Sequence, residues 1–220
     1  MKRIYIIIIL LCAAKYSIGQ DGVKFGVMFD PTIMWFQSDS RTVVPQNSSM
    51  GFNLGMSLDY FFANNYAFAT GISLFNTGCT LKYLNGITIR TKEEKVTIAA
   101  EEDVKYRIQY INLPAGLKFK THRIGRYEYS ANMGFNVMVR ATAKGTFDVE
   151  DLKYEKVSVK EEVNFFNMGW HFGGKASYSL GGAAAIFAGV SYMHTFLDMT
   201  SAAGGKITSN NISIRLGVLF

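Results

Sequence analysis

The chain has 220 residues, 49% hydrophobic and 14% aromatic, with 21 Gly, 17 Phe, 12 Tyr and only 3 Pro. That mix suits strands and tight turns better than helices. Its 23 basic and 17 acidic residues give a formal charge of +6, which falls to about +3 once the amino-terminal segment with Lys2, Arg3 and Lys15 is removed, too small an excess to point to nucleic acid.

The amino terminus reads as a cleavable signal peptide, residues 1–19. Lys2 and Arg3 form a positive start, Ile4 to Ala14 a short apolar core, and Ser17-Ile18-Gly19 a small-residue cleavage site ahead of Gln20. A membrane-anchor helix is the alternative, and shortness speaks against it. Cys12 sits inside the apolar core behind Leu11, unlike a lipid-modified cysteine. Cleavage removes Lys2, Arg3 and Lys15, leaving 20 basic against 17 acidic residues. Of the two cysteines only Cys79 survives, so no intramolecular disulfide can form. Elsewhere no run reaches the ~18 apolar residues of a spanning helix, so any membrane residence must be through strands.

Alternation at period two dominates the rest. Phe25, Val27, Phe29, Ile33 and Trp35 predict a first strand over about 24–37, with Asp30-Pro31 as a bulge. Polar residues 38–48 follow. Met50, Phe52, Leu54, Met56, Leu58, Tyr60 and Phe62 oppose Gly51, Asn53, Gly55, Ser57 and Asp59 in a second strand, about 49–62. After the turn Ala63-Asn64-Asn65, a third strand covers about 66–83. Residues 85–103, with Glu93-Glu94-Lys95 and Glu101-Glu102-Asp103, read as a solvated loop or hairpin.

The fourth strand, about 104–120, carries Ile111, Leu113, Leu117 and Phe119 on one side, Lys118 and Lys120 on the other, and an irregularity expected at Pro114. A fifth, about 127–147, sets Tyr127, Tyr129, Met133, Phe135 and Val137 against Glu128, Ser130, Asn132 and Asn136. Residues 149–162 are a second charged loop. The sixth strand, about 163–179, turns at Gly181-Gly182 into a seventh, about 185–199, followed by an Ala/Gly loop at about 200–206. The last strand alternates Ile212, Ile214, Leu216, Val218 and Phe220 with Ser213, Arg215 and Gly217, Leu219 being the exception.

About eight strands joined alternately by long and short connections predict an all-β, eight-stranded antiparallel up-and-down transmembrane barrel, residues 20–220. Short turns then face the periplasm, and loops 38–48, 85–103, 149–162 and 200–206 face outside. A soluble lipocalin-like barrel is the competing fold, with the apolar stripes inside. Against it, those stripes are too rich in Phe, Tyr, Trp and Met to fill a small barrel, while the other stripes hold Gly, Ser, Ala and Asn. Trp35, Tyr60, Tyr66, Tyr127, Tyr129 and Tyr178 fall near strand ends, where interfacial aromatics belong.

The small-residue stripes also carry Asp30, Asp59, Lys118, Glu128, Lys175 and Arg215, which an interior must pair or hydrate. The expected network pairs Lys118 with Glu128 and Asp30 with Arg215, plugging the lumen.

The final aromatic strand resembles the closing strand of bacterial outer-membrane barrels. This implies that Ile214, Leu216, Val218 and Phe220 form a signal for the barrel-insertion machinery. More widely, the chain resembles the PorT-like or "porin family" outer-membrane β-barrel proteins of Bacteroidetes. The resembling runs are Phe25-Gly26-Val27, Gly51-Phe52-Asn53-Leu54-Gly55, Tyr66-Ala67-Phe68-Ala69-Thr70-Gly71, Tyr106-Arg107-Ile108-Gln109-Tyr110-Ile111-Asn112-Leu113-Pro114, Leu117-Lys118-Phe119-Lys120 and the terminus itself. The resemblance implies residence in the outer membrane of a Gram-negative bacterium. One branch of that family is tied to type IX protein secretion, and no residue here carries the chain into it.

No motif calls for a cofactor or a metal. His122, His171 and His194 lack ligand spacing. His194 and Asp198 share a face near the outer rim as a conceivable acid–base dyad, against the simpler reading as rim contacts. Cys79 reads as a packing residue. The expected function is a non-enzymatic scaffold in outer-membrane lipid. Its charged loops 85–103 and 149–162 would contact envelope proteins or ligands. A passive small-solute pore and an accessory of protein secretion are the alternatives.

Overall fold

The computed structural model describes residues 22–91, 95–149, 152–201 and 205–220. The expected signal peptide, with Gln20 after it, and Glu93-Glu94 lie outside the described residues. In chain order the strands are β1 (Val23–Ser38), β2 (Val43–Gln46), β3 (Ser49–Ala63), β4 (Tyr66–Tyr83), β5 (Ile87–Arg90) and β6 (Lys95–Ile98). Then come β7 (Glu102–Lys120), β8 (Tyr127–Val149), β9 (Leu152–Ser158), β10 (Phe166–Gly181), β11 (Ala184–Thr195) and β12 (Ile207–Leu219). Eight of these, β1, β3, β4, β7, β8, β10, β11 and β12, pair antiparallel in that order, and β12 returns to β1. Closure leaves no wall edge bare, which a strand in lipid requires. Phe25 and Phe220 complete the seam by exchanging two backbone hydrogen bonds, 2.8 and 3.2 Å.

The alternating side chains sort as a membrane wall demands. Phe52, Leu54 and Phe135 are 41%, 47% and 56% exposed on the outer surface, whereas Asp59 points inward at 3%. Aromatics gather at both ends of this apolar band. At the short-turn end Tyr66 meets Phe119 edge-on at 5.6 Å and Tyr127 meets Tyr178 at 5.2 Å. Toward the long loops, Trp170 and Trp35 both contact Tyr192, at 5.4 and 6.4 Å.

Asp30-Pro31 is not the bulge expected. The β1–β3 register runs through it unbroken, and the β1–β12 register is the same on either side of a gap at these two residues. Proline withholds one donor from the ladder without adding a residue to the strand. Pro114 behaves alike: pairing with β4 lapses between Ala115 and Asn112 and resumes in register. The seventh strand stops at Thr195 rather than about 199. There Asp198 Oδ1 accepts from the backbone N–H groups of Thr200 and Ile207, at 3.1 and 2.8 Å, and holds the chain in a loop.

Above the apolar band the pattern inverts. On β4 the inward positions change from Ala67, Ala69, Gly71 and Ser73 to Phe75, Cys79, Leu81 and Tyr83, while Asn76, Thr80 and Lys82 face out. On β7, Val104, Tyr106, Ile108 and Tyr110 are buried inside, and Lys105 and Arg107 are exposed. Once the wall leaves lipid, water lies outside, so the apolar stripe gains most by moving in. A register shift opposite Gln109–Tyr110, skipping Ala141 of β8, brings Ala143 and Phe147 inward too. The charged stretches are therefore more than solvated loops. The β5–β6 hairpin inserts Ile89, Val96 and Ile98 into the same core, with Val43 of β2 and Val159, Val163 and Met199 from the loops.

Candidate functional site: the lumen and its cap

Within the band, inward charges stand in tiers. Asp30 and Arg215 occupy matching positions on β1 and β12, and Arg215 Nε lies 3.6 Å from Asp30 Oδ2, which also accepts 3.1 Å from Asn53 Nδ2. His171, on β10, shares a 3.0 Å hydrogen bond through Nδ1 with Asn136 Nδ2. Deeper, Lys118 Nζ donates to Asp59 Oδ2 at 2.5 Å, both side chains being buried. Nearest the short turns, Glu128 takes Lys120 at 3.2 Å and Lys24 at 3.7 Å.

Lys118 thus pairs with Asp59, not with Glu128 as expected. Register explains the choice. Lys118 stands opposite Asn132 and Lys120 opposite Ser130, so Glu128 lies one step nearer Lys120. On its other side Lys118 faces Ala67, and Asp59 faces Ala69. Two methyl groups on β4 leave the lysine free to reach across that strand. Lys175 forms no tier of its own. Its Nζ sits 4.3 Å over the Phe187 ring, in reach of the ring's negative face.

Three participants, Lys24, Lys120 and Phe61, were not in the expected charge network. Lys24, Lys118 and Lys120 surround the ring of Phe61, at 5.5, 5.8 and 4.7 Å. Parity could have found Phe61, since it is two residues beyond Asp59 on the inward side. That Lys24 and Lys120 share Glu128 depends on barrel closure, which no local pattern carries.

Between these tiers runs a cavity of about 90 Å³, lined by Asp30, Asp59, Lys118, His171, Lys175 and Arg215 among others. It has room for a few water molecules at polar walls. Above it the apolar core fills the outer end. Tyr83 and Tyr106 share a 3.0 Å hydroxyl contact within that core, and burial raises both phenols above their ordinary pKa. Cys79, in the part of β4 above the apolar band, is buried and its thiol is pushed up to about 12 by burial alone. A thiol so held is a packing group. Glu162 Oε1 accepts 3.0 Å from the Arg90 N–H, tying the hairpin to the 149–162 loop, and Arg140 donates to the carbonyls of Lys160 and Val163.

His194 and Asp198 are not assembled as a dyad. His194 Nδ1 contacts Asn210 Oδ1 at 2.9 Å, and Asp198 is engaged with backbone N–H groups. Among the described residues no group of three His, Cys, Asp or Glu is arranged to hold a metal.

Residues 19–201 match the family model described as outer membrane protein beta-barrel domain. The chain belongs to that family. Its place is accordingly the outer membrane of a Gram-negative bacterium; in such barrels short turns are periplasmic and longer loops extracellular. No curated protein matches the sequence. Similar solved structures include Neisserial surface protein A (NspA), at 14% identity over 90% of this chain and 98% of that one, TM-score 0.45. OprG from Pseudomonas aeruginosa is 13% identical over 90% and 94%, TM-score 0.49. Ail of Yersinia pestis is 15% identical over 91% and 100%, TM-score 0.39.

Proposed function

We propose that this barrel is a non-enzymatic scaffold of the outer membrane, a rigid wall whose closed outer end presents its loops to envelope proteins or ligands. The observation that carries this reading is the apolar core filling the outer mouth. A mouth packed like a protein interior resists solute passage and fixes the loops above it. The ion pairs beneath stiffen the wall from within. His194 bonds Asn210 of the neighbouring strand and Asp198 holds backbone N–H groups of its own loop, so the two serve structural contacts instead of each other.

The reading extends to the PorT-like branch of Bacteroidetes barrels, on the Tyr106–Pro114 run. Within that run Tyr106, Ile108 and Tyr110 supply the cap, and Ile111 and Leu113 the lipid-facing band. The last strand, ending on exposed Phe220, is proposed as the feature that the insertion machinery reads.

Planar-bilayer recording of the purified, refolded protein tests the scaffold against a passive pore. The expected trace holds the baseline with no steady conductance. Sustained open currents from the folded species would overturn the reading.

A further inference from the structure

On the outside of the wall, at the level where the apolar band gives way to water, β3, β4, β7 and β8 enclose a groove of about 660 Å³. Its cations are Lys105, Arg107 and Lys144, all exposed, and its lining includes no carboxylate. Arg107 and Lys144 are direct cross-strand partners. Like charges so placed repel and weaken the sheet unless an anion sits between them. Among the described residues no carboxylate lies within 4.0 Å of any of the three, although Lys82 higher on the same face has Glu101 at 3.8 Å. Gly78, lacking a side chain, stands beside Arg107 across the β4–β7 ladder and keeps the groove open there.

The lower rim is apolar. Met50 and Phe52 line it, and Met50 is 81% exposed, more than any other large hydrophobic side chain described. Arg107 lies four residues above lipid-facing Ile111, about 13 Å along the strand and about 10 Å along the membrane normal at the usual tilt. Long cationic stems reach back from there into the headgroup layer.

We propose that this groove is a binding site for a phosphorylated lipid of the outer leaflet. Arg107 and Lys144 take the headgroup phosphate between them, Lys105 flanks it, and an acyl chain runs down over Met50 and Phe52. A soluble anion would use the cations but gain nothing from the apolar rim. That rim, continuous with the band, selects the lipid. The site is on the wall, apart from the loops and the cap, so it stands or falls independently of the scaffold reading.

The test uses the full mature chain refolded in detergent micelles, with diphosphorylated lipid A as probe and its dephosphorylated form and the deacylated, phosphorylated sugar as controls. Bound lipid is counted by native mass spectrometry and by titration of intrinsic fluorescence. Diphosphorylated lipid A should bind at one site. Arg107→Ala combined with Lys144→Ala should weaken it roughly tenfold or more, as loss of two cations near a phosphate predicts. Lys153→Ala, on an exposed residue outside the groove, should leave binding unchanged. The unboiled-gel shift reports folding, and Arg107→Lys, which keeps the charge, serves if the double variant fails to fold, with binding retained within a fewfold. Equal binding by the double variant, or by lipid stripped of phosphate, overturns the site. Equal affinity for the deacylated sugar also overturns it, by assigning the groove to a soluble anion.

Discussion

Asp59 and Lys118 show how much one residue position decides. Both are buried and 2.5 Å apart, so each removes the cost of the other's charge, and losing one strands its partner in a medium that cannot solvate it. Asp59→Asn should destabilise the folded barrel by about 3–5 kcal/mol. Combining Asp59→Leu with Lys118→Met should recover most of the loss, because no lone charge then remains. Urea unfolding in lipid vesicles, followed by tryptophan fluorescence, measures both. Asp30→Asn should cost less than Asp59→Asn, since Arg215 is farther away at 3.6 Å and partly hydrated. At this scale the sequence was legible only in part. That Asp30, Asp59, Lys118, Glu128 and Arg215 face inward followed from parity. Which carboxylate Lys118 takes did not, because Ala67 and Ala69 matter only once β4 lies between β3 and β7.

Among the elements, the β5–β6 hairpin has the least expected role. Read as a charged excursion, it buries Ile89, Val96 and Ile98 in the outer core. Four strand residues on each side are too few to be stable alone, so the hairpin depends on that burial and on the Glu162–Arg90 contact. Placing a charge there, Ile98→Asp, should release it, because a lone buried carboxylate is strongly disfavoured. Trypsin cleavage around Lys82 and Lys95 should accelerate at least ~10-fold as local opening rises. The transmembrane part should keep its folded mobility on a gel, because the eight wall strands close without the hairpin. Loss of both together would show that cap and wall fold as one unit.

For the whole molecule, one boundary divides the structure. Below it the strands are greasy outside and small or charged inside. Above it they are polar outside and apolar inside. The same β4 chain, Tyr66–Tyr83, crosses from one regime to the other without changing parity. A closed wall with its backbone groups satisfied resists detergent until heated. The unboiled protein should therefore migrate differently from the boiled protein on a detergent gel, and should need detergent to stay in solution. Identical migration together with solubility in plain buffer would contradict a lipid-facing band.

The eight wall strands, their order and their lipid-facing sides were determined by the sequence itself, because alternation and turn chemistry are local and recur along the chain. Strand ends were legible wherever a turn residue stopped the pattern, as at Ala63–Asn65, and blurred where a loop contact did so, as at Asp198. Only the tertiary structure decided that Lys118 joins Asp59, that three lysines ring Phe61, and that the charged excursions close the outer mouth. Those outcomes depend on which distant strands become neighbours when the sheet closes, and on where lipid ends along each strand. Both are properties of the closed wall in its solvent, and no window of a few residues contains them.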